Sequence, residues 1–219
     1  MAPPGKQAPR PPADGRQPQR ELKQERAIRT RGQVLNAAAT AFAKRGYPSV
    51  TMLDIAELTG MTKGAVYFHY PNKEAVAVAV AEEFYAWLDQ LMEDVQELPP
   101  LQAVVEYFTR AAVGFRDDKM VQAGARLQIE FTTVDTTLPV PFQGGIRAIT
   151  DLLSKAKAAG ELPEDSDPEC LAFILVSGFF GVQHVSWRLS GRADLAERVR
   201  ALLAAVLPSA AKRSSAKGS

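Results

Sequence analysis

Between Thr62 and His69 the chain places two hydroxyls (Thr62, Tyr67), an ammonium (Lys63), a side-chain-free position (Gly64), an aromatic ring (Phe68) and an imidazole (His69). No nucleophile stands beside a base here, so the set makes no bond-breaking centre. It suits contact with a polyanion. A helix starting at Thr62 offers unpaired backbone N–H groups and a positive dipole end to phosphate, and Lys63 adds a cation there. Gly64 allows a close backbone approach, Tyr67 and His69 carry polar tips for phosphate oxygens, and Phe68 can touch a thymine methyl group. Elsewhere the sequence has no nucleophile elbow, no phosphate-cradling glycine loop and no carboxylate pair at a recognisable spacing. Its two histidines, His69 and His184, lack ligand-bearing neighbours, so neither an enzyme, a metal nor a cofactor is expected.

The elements that must position these groups are legible around them. Thr51 and Asp54 form a T-x-x-D capping box that opens a short helix with Leu53, Ile55, Ala56 and Leu58 as its apolar positions. Gly60 can close it in the left-handed conformation, and Thr62 caps a second helix two residues later. Pro71 stops that helix near His69 and pushes Tyr70 towards extended geometry. Two short helices around a tight turn make a helix-turn-helix. Tyr70 is expected in the core, whereas the run Tyr67 to Tyr70 cannot all be buried, because a seven-residue helix has an outer face. Upstream, Leu35, Ala38, Ala39 and Phe42 form one apolar stripe, stopped by Gly46.

Downstream the periodicity predicts helices over 72–97, 100–117, 119–133, 142–159, 168–190 and 194–207, punctuated by Pro99-Pro100, Gly160, Asp167-Pro168 and Gly191. No alternating stretch is long enough for a strand, so the fold class is all-α. Charge is divided unevenly. Residues 1–31 carry eight Lys/Arg against three Asp/Glu, and residues 76–208 carry eleven against nineteen. A basic N-terminal segment on an acidic body places the polyanion contact at the N-terminal end. Residues 1–20 hold six prolines among Gly, Gln and Arg, and a disordered basic arm is expected over 1–25, with a similar tail over 209–219. No uninterrupted apolar run reaches bilayer length, since the longest, Cys170 to Phe180, is broken by Ser177 and Gly178. With a single cysteine, Cys170, expected as a buried thiol, a cytoplasmic location is expected.

Residues 27–74 resemble the DNA-binding domain of TetR-family transcriptional regulators. The resemblance rests on A-A-x-x-x-F-x-x-x-G-Y (Ala37 to Tyr47), T-x-x-D-I-A (Thr51 to Ala56), G-M-T-K-G-A-V-Y-x-H-Y (Gly60 to Tyr70) and Lys73-Glu74. The phrase T-K-G-A-V-Y-F-H-Y and the opening R-A-I-R-T-R further resemble the γ-butyrolactone autoregulator receptors. This implies a DNA-binding domain over 26–74, with Thr51 and Lys73 anchoring phosphates. Thr62, Lys63, Gly64, Tyr67, Phe68 and His69 become the recognition surface, and Arg26, Arg29 and Arg31 reach the adjacent groove. No Arg or Asn lies on the recognition helix, so phosphate contact and DNA-shape readout should outweigh direct base pairing.

The resemblance also implies that residues 75–208 bind a small-molecule effector and dimerise. The expected interface is Leu171, Leu175, Gly178, Phe179 and Val182 on one helix with Leu195, Val199, Leu202 and Leu203 on the next. The expected pocket combines Phe108, Phe115, Phe131, Phe142, Gly145, Ile146 and Ile149 with the polar groups Arg126, Gln128, Glu130 and Gln183. In the γ-butyrolactone receptors a tryptophan follows the Pro-Phe of an L-P-x-P-F run by three residues. Here the run is Leu138 to Phe142 and the matching position is Gly145. The expected function is a homodimeric repressor of a pseudo-palindromic operator, released by a small-molecule effector, either a γ-butyrolactone-like signal or, favoured by Gly145, something bulkier such as an antibiotic or its precursor. The alternative is a constitutive DNA-binding protein without an effector.

Overall fold

The computed structural model describes residues 17–130 and 140–207, and those residues contain nine helices and no strand. Helix α1 (Gln17–Arg45) begins inside the segment expected to be a disordered arm. Residues 17–25 are mostly Gln, Glu, Lys, Arg and Leu, good helix formers that extend an existing helix at one hydrogen bond per residue. Its inner stripe, Val34, Ala38, Ala39, Ala41 and Phe42, is buried.

The chain turns at Gly46, whose φ of +83° suits a glycine. A β-carbon there would also sit 2.5 Å from the Arg126 guanidinium. Helix α2 (Met52–Thr59) opens on the Thr51–Asp54 box and closes on Gly60 at φ +67°. Its buried face is Met52, Ile55 and Ala56. Leu53 and Leu58, expected inward, are more than half exposed, because eight residues offer one inward stripe and Met52 takes the place next to Ile55. Helix α3 (Lys63–His69) starts at Thr62, whose hydroxyl accepts from the Ala65 N–H. It docks through Val66, with Tyr70 buried just beyond its end.

The remaining helices are α4 (Lys73–Glu93), α5 (Pro100–Asp117), α6 (Lys119–Glu130), α7 (Gln143–Ala158), α8 (Pro168–Ser190) and α9 (Leu195–Val206). Asp167 caps α8 by accepting from the Glu169 and Cys170 N–H groups, as Asp-Pro predicts. Cys170 itself is exposed, a correction: its helix position faces outward two residues before Ala172, where the buried stripe begins. By length and composition α8 could cross a membrane. Here it packs against α7 and α9 and carries Ala172, Leu175 and Phe179 into the core.

Two apolar cores result. One joins α1, α2 and α3 to the first turns of α4, and the other fills the space among α4, α5, α7, α8 and α9. Helix α6 belongs to both: Ala123 and Leu127 are buried in the first core, Val121 and Ala125 in the second. A β-carbon at Gly124 would lie 2.2 Å from the Phe84 β-carbon, so α4 and α6 meet at the distance only glycine permits. The head core includes Val76, Ala77, Ala79 and Val80, so the head does not end at residue 74 as a packing unit.

Candidate DNA-binding surface and effector cavity

The outer face of α3 presents the groups singled out in the sequence. Phe68 is 82% exposed and Tyr67 39%, and Thr62, Lys63 and Gly64 are exposed. Lys63 Nζ lies 5.6 Å above the Tyr67 ring, and Phe68 meets His69 edge-on at 5.3 Å. Nothing lies within 4 Å of a β-carbon added at Gly64, so the fold itself makes no demand for glycine there. A ring as exposed as Phe68 contributes little to the monomer's core.

Three of the expected DNA contacts are engaged inside the protein. Thr51 accepts from the Asp54 N–H and donates its hydroxyl to the Asp54 carboxylate. That hydroxyl, with the Arg45 guanidinium at 2.7 Å, holds the Asp54 carboxyl well below the usual carboxylate range. Lys73 donates to the Tyr47 carbonyl at 2.9 Å, with its ammonium 4.2 Å from the Tyr47 ring, and partial burial lowers its pKa. Arg31 donates from Nε to the Tyr70 hydroxyl at 3.2 Å and stacks over that ring. These side chains brace the head before any partner arrives. Arg26 and Arg29 are exposed on α1.

A cavity of 230 Å³ lies among α4, α5, α6, α7 and α8. Its wall is aromatic: Phe84, Phe108, Phe115, Phe142, Phe179 and Phe180. Tyr85, Asp89, Tyr107 and Gln128 supply its polar points. Burial, with Asp89 adding to it, pushes the Tyr107 hydroxyl up to about 12, so it stays a neutral hydrogen-bonding group. The lining contains no Lys, Arg or His among the described residues. Phe142, in the left-handed region at φ +66°, meets Phe180 edge-on at 4.4 Å.

Of the expected pocket residues, Phe108, Phe115, Gln128, Phe142, Gly145 and Ile149 line this cavity. Ile146 packs on the body core beside it, and Phe131 lies outside the described residues. Arg126, Glu130 and Gln183 belong to a different cleft, because they project from other faces of α6 and α8. Sequence reasoning missed Tyr85, Leu88, Asp89 and Met92, although their spacing marks one face of α4. It also missed Tyr107, Val176 and Phe180.

The expected interface residues divide in two. Leu175, Phe179, Leu195, Val199 and Leu203 are buried in the protomer's own core, so they are corrected to core positions. Leu171, Gly178, Val182 and Leu202 are half-buried. The outward apolar face of α8 is Phe173, Ile174, Val185 and Leu189, all exposed. A shallow groove beside it runs along Gly178, Gly181, Val182, Val185, Arg198, Ala201 and Leu202.

A helix-turn-helix head joined through α4 and α6 to an all-helical body is the architecture of a helical transcriptional regulator. Residues 34–80 match the family described as bacterial regulatory proteins, tetR family. The chain belongs to the TetR family of transcriptional regulators. It is 36% identical over 189 residues to the A-factor receptor protein of Streptomyces griseus, covering 86% of this chain and 66% of that one, just under two thirds of its length. A solved structure reported under control of antibiotic production by a bacterial hormone shares 48% identity at a TM-score of 0.71, covering 80% of this chain and 94% of that one. The TetR family protein CprB from S. coelicolor A3(2) shares 30% identity, also at 0.71, covering 86% and 94% respectively.

Proposed function

We propose that this protein represses transcription as a homodimer on a pseudo-palindromic operator and is released by a small, largely apolar effector. The observation that carries this reading is the double membership of α6. Gln128 lines the aromatic cavity, while its neighbour Leu127 is buried in the head core. A ligand that shifts α6 must therefore move the head or strain its packing, which is the differential contact a ligand-driven switch requires. The α3 face from Thr62 to His69 meets the major groove in this account, with Arg26 and Arg29 beside it. The exposed apolar face of α8 and the groove against α9 seat on a second copy, which sets two α3 helices on one site.

The effector class follows from the lining. With six phenylalanines, one carboxylate (Asp89), a few neutral donors and acceptors and no cation among the described residues, the cavity favours a mostly apolar molecule without negative charge. An indole at position 145 would narrow its wall, and here that wall is open: nothing lies within 4 Å of a β-carbon added at Gly144 or Gly145. We infer an effector bulkier than a simple γ-butyrolactone, such as an antibiotic or its precursor. Titrating operator-bound protein with γ-butyrolactones and aromatic antibiotics, and following DNA release, tests this. Release by nanomolar butyrolactone would overturn the choice of effector. A panel in which nothing releases DNA or raises the melting temperature would favour the constitutive alternative.

A further inference from the structure

A second cleft, of 160 Å³, opens where the end of α1 meets α6, α8 and the α8–α9 turn, and it shares no lining residue with the aromatic cavity. Arg126, Glu130, Gln183, His184, Trp187 and Arg192 line it. Arg126 is neutralised: its Nε pairs with Glu130 and Nη1 donates to the Ala43 carbonyl. Glu130 in turn accepts from the Tyr47 N–H at 2.7 Å, so this pair grips the corner after α1.

Arg192 has no such neutraliser among the described residues. It is 7% exposed, donates from Nη2 to Gln183 Oε1 at 3.3 Å, and its buried Nε has no hydrogen-bond partner. No carboxylate pairs with it among the described residues. The nearest acid in sequence, Asp194, is already taken by Ser186, Ser190 and Arg198. Burial lowers the Arg192 pKa, a sign that its surroundings disfavour the charge. Its backbone is left-handed at φ +74°, which a residue with a β-carbon rarely adopts. A strained backbone and an orphaned, desolvated cation thus coincide at one residue, and such coincidences cluster at ligand sites. The Trp187 ring centre lies 5.2 Å from the Arg192 guanidinium carbon and 5.4 Å from that of Arg126, so both cations stack on one wall of the cleft.

We propose that this cleft is a binding site for a small oxyanion, a carboxylate or inorganic phosphate, held by the Arg192 guanidinium that lines it. A guanidinium edge presents parallel N–H donors that match two oxygens of either anion. The anion supplies the missing counter-charge and stabilises the junction between head and body, independently of what fills the aromatic cavity.

Thermal unfolding of the full chain, with sodium phosphate or sodium acetate titrated against chloride at constant ionic strength, tests the site. Wild type should show a saturating rise in Tm, about 2–5 °C at ten times the dissociation constant, with a matching heat in calorimetry. Arg192→Met should lose that saturable component while keeping an anion-free Tm at least as high as wild type. A response to acetate alone identifies a carboxylate ligand, and to phosphate alone a phosphate ligand. No saturable rise with either anion, or the same rise in Arg192→Met through general salting-out, would overturn the proposal. Should Arg192→Met fail to fold, Gln183→Met removes the acceptor that aligns Arg192. It should weaken anion binding at least fivefold, and unchanged affinity would likewise refute the site.

Discussion

Replacing Gly145 by tryptophan should convert the cavity towards simple γ-butyrolactones. Gly145 is the third residue of α7, lies on the cavity wall, and has no atom within 4 Å of where a β-carbon would go. The substitution therefore meets no steric barrier at its first atom, and replacing glycine in a helix contributes roughly 0.5 kcal/mol. An indole offers about 150–250 Å² of contact surface. If about 100 Å² of it closes over a bound lactone, the gain at 25 cal/mol per Å² is about 2.5 kcal/mol, or about 70-fold in affinity. Tm of the unliganded Gly145→Trp variant should be unchanged or raised. Titration of an alkyl-substituted γ-butyrolactone, read by thermal shift and by release of bound DNA, should show the gain. A folded variant that binds the lactone no more tightly than wild type would refute the idea that the bare position at 145 sets effector choice.

Val185→Glu, an exposed position on α8, should leave the fold intact and shift the protein from dimer to monomer in light scattering, with loss of operator binding. An unaltered dimer would move the interface elsewhere. Asp54 has a folded pKa depressed below its ordinary 3.8, so its contribution to stability is present above about pH 4 and lost as pH falls through the folded value. Asp54→Asn should accordingly lower Tm at pH 7, with the difference from wild type shrinking towards pH 2. A pH-independent difference would show that the capping geometry, not the charge, carries the effect. Deleting residues 1–16, which bring Lys6, Arg10 and Arg16 against Asp14, should weaken operator and random DNA alike and flatten the salt dependence. Loss of operator discrimination alone would contradict that role.

Local signals in the sequence were decisive wherever one residue settles a backbone geometry. The Thr51–Asp54 box, Gly60, Thr62, Pro71 and Asp167-Pro168 each occupy the cap or stop their types require. The exposed face of α3 was legible for the same reason, since a helix of seven residues docked by Val66 leaves its other sides outward. What the sequence left open is which way a wholly apolar helix turns. In α8 both faces carry large apolar groups, so Leu175 and Phe179 could not be told from Phe173 and Ile174 without their neighbours. The same ambiguity grouped Arg126, Glu130 and Gln183 with phenylalanines that line a different space, because a polar side chain on a core helix does not announce which space it enters. Lys73 and Arg31 look like free cations in sequence, and their engagement with Tyr47 and Tyr70 depends on contacts 26 and 39 residues apart.

The central claim is that the outer face of α3 holds DNA, and gel-shift affinity on a palindrome selected from random DNA tests it most directly. At fixed salt, Lys63→Ala and Tyr67→Ala should each weaken binding by about 1–3 kcal/mol, roughly 5- to 150-fold, with Tm and dimer mass unchanged. Wild-type affinity in both variants would contradict the account.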